Sequence, residues 1–277
     1  MKDKKLKVAI LDMNNNVPNQ GLRCIQEMVT RYNTRLEAMT FDVRHRYEIP
    51  DTSFDIYISS GGPGSPLEGD GIWDKQYFEL IDALLEHNAS NTLTKKYIFL
   101  ICHSFEMVAH HLNVGQITER KSMAFGTFPT HKTIEGEQEP LFQNLPNPFC
   151  VADFRSWQLI QPNDVVLEKM DAKILALEKI RPHVPLERSI MAIRFTDEMI
   201  GTQFHPEADA AGMLKYFSQP EKRKYIIDTY GIEKFKTMIQ DLSDPNKINN
   251  THLDHSESKW MFYFGWIVQD GVYILTI

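Results

Sequence analysis

Through its first 113 residues the chain repeats one pattern: a short, almost wholly apolar run, a polar or glycine-rich loop, then a segment of helical spacing. Lys5 to Leu11 runs into the loop Asp12 to Gln20, after which Leu22, Ile25, Met28 and Val29 fall on one face of a helix over Gly21 to Tyr32. Leu36 to Val43 and Asp55 to Ser59 read as strands, followed by a Gly/Pro loop over Gly61 to Gly71 and a helix over Trp73 to His87. Tyr97 to Cys102 is a further apolar strand, with a helix over Ser104 to Asn113. Strands apolar at nearly every position bury both faces. The pattern therefore predicts an α/β fold with a mainly parallel central sheet covered by helices on both faces. Loops that do chemistry in such folds gather at the C-terminal ends of the strands.

The remainder departs from this pattern. Thr118 to Thr133 alternates and Phe149 to Leu177 is strand-like, which predicts an antiparallel section. Met191 to Phe195 and Ile200 to Phe204, joined by Thr196-Asp197-Glu198, read as a hairpin. Helical segments follow at Ala208 to Phe217 and Glu221 to Leu242. Ser243 to Lys259 is a polar loop, in which His252, Asp254 and His255 read as solvated side chains and not as metal ligands. The tail Trp260 to Ile277 turns at Gln269-Asp270-Gly271. We expect a body over 1–217 and a C-terminal extension of helix and apolar tail over 218–277. Trp260, Phe262, Tyr263, Phe264 and Trp266 make a patch that needs burial, on the body or in a homodimer interface.

The 30 Lys and Arg against 37 Asp and Glu give a net charge of −7, the wrong sign for a partner that is nucleic acid. Cys24, Cys102 and Cys150 are too few for a disulfide framework, which suits a reducing compartment. Val8 to Leu11 is too short for a signal-peptide core, and Trp260 to Val268 falls short of the ~20 residues that span a bilayer. A soluble cytoplasmic protein is expected, with no membrane partner.

Three segments carry candidate chemistry. Cys102 stands where an apolar strand meets a helix, a turn that exposes a nucleophile and whose free N–H groups stabilise a thiolate. Gly61-Gly62-Pro63-Gly64 follows another strand and can aim a backbone N–H at a developing oxyanion. It is not a phosphate loop, since no Gly-Lys-Ser/Thr ends it and Glu68 and Asp70 follow. Phe204-His205-Pro206-Glu207 offers an imidazole able to accept a thiol proton and a carboxylate able to orient it.

Together, SGGPGSP at Ser60 to Pro66, ICHS at Ile101 to Ser104 and GTQFHPE at Gly201 to Glu207 resemble the class I glutamine amidotransferases, in particular the stand-alone proteins similar to the amidotransferase domain of GMP synthase. The resemblance covers roughly Lys5 to Phe217. It implies a flavodoxin-like fold in which Cys102 attacks the side-chain amide of glutamine or a related γ-glutamyl compound, His205 shuttles protons and Glu207 orients His205. The backbone N–H groups of Gly62 and His103 would form the oxyanion hole, and a Cys102 thioester would release ammonia or amine. No cofactor or metal is implied. The family pattern Gly-x-Cys-x-Gly-x-Gln is replaced here at Leu100, Ser104 and Glu106, and the Ser-x-His pair that lines the pocket gives way to Arg155-Ser156-Trp157-Gln158. Glu106, Ser156 and Trp157 are thus the candidate substrate-binding positions, and an ionised Glu106 would repel glutamine's carboxylate unless protonated or paired with a cation such as Arg155. No nucleotide-binding pattern follows Phe217, so an ammonia-accepting synthetase would be a separate protein, or the reaction is plain hydrolysis.

Two other readings stay open. The Cys102-His103 pair also resembles the elbow of the PfpI/DJ-1 group, which uses the adjacent histidine. Leu100, Glu106 and Trp157 also fit a catalytically inactive, amidotransferase-like binding protein.

Overall fold

The structure, a computed structural model, describes residues 5–90, 93–183, 186–244 and 247–248. The apolar tail and the His252 to His255 segment lie outside the described residues. Strands β1 (Leu6–Asp12), β2 (Leu36–Asp42), β3 (Ile56–Ser59) and β4 (Tyr97–Ile101) pair in parallel, in the order β2-β1-β3-β4. Helices α1 (Gln20–Arg31), α2 (Trp73–Ala89) and α3 (His103–His111) connect or follow them. The chain continues through β5 (Gln116–Lys132), α4 (Ile134–Gln138), β6 (Phe149–Ile160), α5 (Asp164–Met170), β7 (Lys173–Glu178), β8 (Ile190–Thr196) and β9 (Met199–Thr202). β9 joins β4 in parallel, and the order continues β8-β6-β5-β7 with antiparallel neighbours.

The two-sided burial expected of the parallel strands is visible residue by residue. Val8 and Ile10 of β1, Ile56 and Ile58 of β3, and Phe99 and Ile101 of β4 pack on one side with Ile25, Met28 and Val29 of α1. Ala9, Leu11, Tyr57, Ile98 and Leu100 point the other way, into a core with Tyr77, Leu80, Ile81 and Leu84 of α2 and Phe105 and Val108 of α3. Buried apolar area on both faces is the main stabilising contribution to such a sheet, at about 25 cal/mol per Å².

Past β9 lie α6 (Ala210–Phe217), α7 (Pro220–Tyr230) and α8 (Ile232–Ser243). The single helix expected over Glu221 to Leu242 is in fact two, broken at Gly231, whose φ of 87° is left-handed and ends α7. Phe149 to Leu177 is likewise not one strand-like stretch. Asn163 caps a short helix there by accepting from the Val166 N–H, and Asp171 ends it in the left-handed region with φ 53°. Ala152, Met213, Phe217, Ile226, Met238 and Leu242 form a third, smaller core, with Phe125 and Phe154 packed against it.

Candidate active site

Cys102 leaves β4 with φ 50° and ψ −105°, a conformation that costs a side-chain-bearing residue on the order of 1–3 kcal/mol. The surrounding hydrogen bonds hold it there. The Cys102 N–H donates to Thr202 O (2.7 Å), and the Cys102 carbonyl accepts from the Glu106 N–H (3.0 Å). Ser104, at a glycine position of the family pattern, uses its hydroxyl as a staple: it donates to Ser59 O (2.9 Å) and accepts from the Ile101 N–H (3.0 Å). The other departure, Leu100, sits opposite Gly201 in the β4–β9 register. A Cβ on Gly201 would lie 3.2 Å from that of Leu100 and 2.6 Å from the Phe105 ring, so the glycine on the neighbouring strand gives the leucine its room.

Parallel pairing of β4 and β9 brings Ile101 level with Thr202, so Cys102 and the segment after Thr202 leave the sheet at one edge. The His205 N–H donates to Ala152 O (2.9 Å), and its Nδ1 meets Glu207 Oε1 at 2.8 Å. The other ring nitrogen, Nε2, is left for the hydrogen bond shared with the Cys102 side chain. Burial raises the pKa of the Cys102 thiol, with the charge of His205 the main opposing influence. Burial alone would lower the pKa of His205. The Glu207 carboxylate and Cys102 more than offset that and hold it well above the usual imidazole value.

Two glycines frame this pair. A Cβ on Gly61 would stand 3.0 Å from His205 Cε1 and 3.6 Å from Cys102 Cβ, wedged between the two side chains. A Cβ on Gly62 would lie 2.3 Å from Met13 O, so Gly62 rests directly on the loop after β1. The sequence pointed to Gly62 as oxyanion donor, while Gly61 is the residue beside both Cys102 and His205. Gly21, at the start of α1, plays a similar part for Glu207, since its Cβ would come within 2.7 Å of Glu207 Oε1. Arg23 and Asp209 (2.8 Å) tie α1 to the start of α6.

The candidate substrate positions are placed differently from one another. Glu106 is 3% exposed, one helical turn beyond Cys102. Burial pushes its pKa up to about 7, against a hydrogen bond with Gln203 and the charge of Arg155. Its Oε1 has no hydrogen-bond partner, and no ion pair reaches it among the described residues. Arg155 is engaged elsewhere. Its Nε donates to both oxygens of Asp153 (3.0 and 3.1 Å), and one terminal nitrogen donates to Trp157 O (3.1 Å) and Ser189 Oγ (3.0 Å). Trp157 is half-buried against the α2–α3 side of the core, and Ser156 is exposed, with no hydrogen bond to the Cys102 cluster. Gln203, which sequence reasoning did not single out, is fully buried, with its Nε2 3.9 Å from Cys102 Sγ.

His103 is 2% exposed. Burial, with the nearby charge of Arg44, pushes its pKa down to about 3, so the ring is neutral and its Nε2 accepts from Arg44 (3.4 Å). An imidazole in that state is no base for the neighbouring sulfur.

No curated protein matches the chain. Among solved structures it is similar to a glutamine amidotransferase from Thermotoga maritima, at 15% identity and TM-score 0.66, covering 90% of this chain and 97% of that one. It is also similar to a putative GMP synthase subunit protein from Thermoplasma acidophilum, at 18% identity and TM-score 0.52, covering 74% and 86%. A third likeness is to the glutaminase domain of Trypanosoma brucei CTPS with bound acivicin, at 14% identity and TM-score 0.52, covering 73% and 86%. At these identities the likeness speaks to the fold, which is the flavodoxin-like α/β fold of these proteins. The family described as glutamine amidotransferase class-I matches residues 13–216, a stretch that contains the elbow, the glycine loop and the His-Pro-Glu segment. With most of its length matched, the chain belongs to the class I glutamine amidotransferase family.

Proposed function

We propose that the protein is a glutamine amidotransferase-like cysteine hydrolase that cleaves the side-chain amide of glutamine or a related γ-glutamyl compound through a thioester on Cys102. The observation that carries this reading is the single imidazole joining Cys102 to Glu207, with Gly61 packed beside His205 and Cys102. His205 Nε2 holds the proton of the Cys102–His205 pair, and Sγ attacks the amide carbon as the thiolate of that pair. The resulting oxyanion is held by the backbone N–H groups of Gly62 and His103, each worth about 10²–10³ in rate. Collapse breaks the C–N bond, and the imidazolium returns its proton to the departing ammonia or amine. Water, deprotonated by His205, then hydrolyses the thioester to the free γ-carboxylate, and Sγ leaves as the thiolate of the pair. Glu207 orients the ring and balances its charge.

The engagement of His103 with Arg44 speaks against the adjacent-histidine mechanism. We read residues 1–217 as the body that carries the chemistry and 218–277 as an extension, which fits the end of the family match at residue 216. No helix among the described residues is long and apolar enough to cross a membrane. That, together with three free cysteines, fits a cytoplasmic protein. The partners of this reading are a small amide substrate, a separate synthetase if the ammonia is used, and a second copy if the tail pairs.

A chloroketone analogue of glutamine tests the reading. Peptide mapping should find the label on Cys102, protected by excess glutamine. Label on Cys24 or Cys150 alone, or no protection by glutamine, would overturn it.

A further inference from the structure

We infer that Arg44 is a positioning residue that braces the oxyanion loop against the nucleophile elbow. The kinetic half of this assignment rests on the hydrolase reading above; the structural half rests on geometry alone. Arg44 follows β2, where the Val43 N–H donates to Asp12 O (3.2 Å) and brings the chain beside the loop after β1. One terminal nitrogen of the guanidinium then serves three segments. It donates to Pro63 O (2.6 Å), to Met13 O (3.2 Å) and to His103 Nε2 (3.4 Å). These acceptors lie in the glycine loop after β3, in the loop after β1 and at the first residue of α3. Gly62, packed on Met13 O, lies among them.

The two backbone N–H groups assigned to the oxyanion, from Gly62 and His103, thus belong to segments that share one cation. Both segments are flexible by composition or strained by geometry: one reads Gly-Gly-Pro-Gly, and the other begins at a residue with positive φ. Neither fixes the spacing between the two donors by itself. The guanidinium is held in turn over the Trp73 ring, 4.9 Å from its centroid. Its Nε is buried without a hydrogen-bond partner, and it forms part of the wall of a cavity of about 340 Å³ lined also by Asn15, His45, Tyr47, Asp70 and Trp73. The side chain therefore acts through its terminal nitrogen on the loops, and solvent can reach the space it fills.

That cavity makes the assignment testable by rescue. Arg44→Ala should speed hydrogen exchange at the Met13 and Glu106 amides, which donate to Ser60 Oγ and Cys102 O at the edges of the tethered loops, by about tenfold or more, because the tether between those loops is lost. In glutamine hydrolysis kcat should fall by about 10–100-fold, with KM within about threefold, since an oxyanion donor acts in the transition state and not on bound substrate. Alkylation of Cys102 by iodoacetamide, which develops no oxyanion, should stay within about twofold of wild type. Millimolar guanidinium ion should enter the vacated space and restore part of kcat and of the exchange protection, and Arg44→Lys should retain part of both. Unchanged loop exchange overturns the assignment, as does an unchanged kcat in a chain that hydrolyses glutamine. Alkylation lost together with kcat and not restored by guanidinium would also overturn it, since that marks a general loss of structure. Absence of turnover in the wild-type chain, with glutamine and γ-glutamyl amides alike, would defeat the hydrolase reading and leave the exchange and rescue measurements to decide Arg44.

Discussion

Glu106 is the residue at which this chain departs furthest from its family's pattern, and its surroundings give the departure a measurable sign. The groups that face it are Gln203 after β9, His205, and Arg155 and Asp153 of β6, and none forms an ion pair with it among the described residues. Its carboxyl therefore prefers to stay protonated in the folded state, with a pKa raised to about 7. The folded chain then binds more protons than the unfolded chain between the ordinary carboxylate range and pH 7, so this group's contribution to stability is full in acid and is lost as pH rises through that window. Glu106→Gln should match wild type near pH 4.5 and exceed it by on the order of 3 kcal/mol at pH 8, read as denaturant midpoints at the two pH values. A variant less stable than wild type at pH 8 would mean that the ionised carboxylate is favourably held, by Arg155 or otherwise. Cys102, the His-Pro-Glu segment and the glycine loop were all legible in sequence as candidate site segments, because each is a short string whose chemistry is local. Arg44, Gln203 and Gly61 were less so. Their roles depend on which loops the sheet order brings together, and nothing in the strings around them records it.

At the level of elements, the strands that build the site were the most legible because they are apolar on both faces, a pattern that few other structures tolerate. The helix α5 was hidden for a related reason: Val165, Val166 and Leu167 read as a strand, and only the Asn163 cap and the left-handed Asp171 reveal a single short helix. α8 was seen, but as the second half of a longer helix. In the fold it packs through Met238 and Leu242, 2% and 3% exposed, against the core that also holds Phe217 and Ala152. Ala152 O accepts from the His205 N–H, so this small core lies directly behind His205. Leu242→Ala should cost about 2–4 kcal/mol in equilibrium unfolding, as leucines at this degree of burial do. A cost under about 0.5 kcal/mol would show that α8 is not held by this cluster.

For the whole molecule, the sheet is the device that assembles the candidate site. Residues 61, 102 and 205 are far apart in sequence, yet each follows a parallel strand, and the order β3-β4-β9 delivers all three to one edge. The antiparallel half of the sheet supplies Asp153 and Arg155 beside that edge and the carbonyl that anchors His205. The central claim is that this convergence makes a thioester from glutamine. Its most direct measurement is mass spectrometry of the intact chain, acid-quenched during turnover with glutamine, with ammonia release followed in parallel. The account predicts a γ-glutamyl adduct mapped to Cys102, absent in Cys102→Ala, strongly reduced in His205→Ala and retained in His103→Ala. Ammonia release without an adduct at Cys102, or an adduct that survives His205→Ala and disappears in His103→Ala, would contradict it.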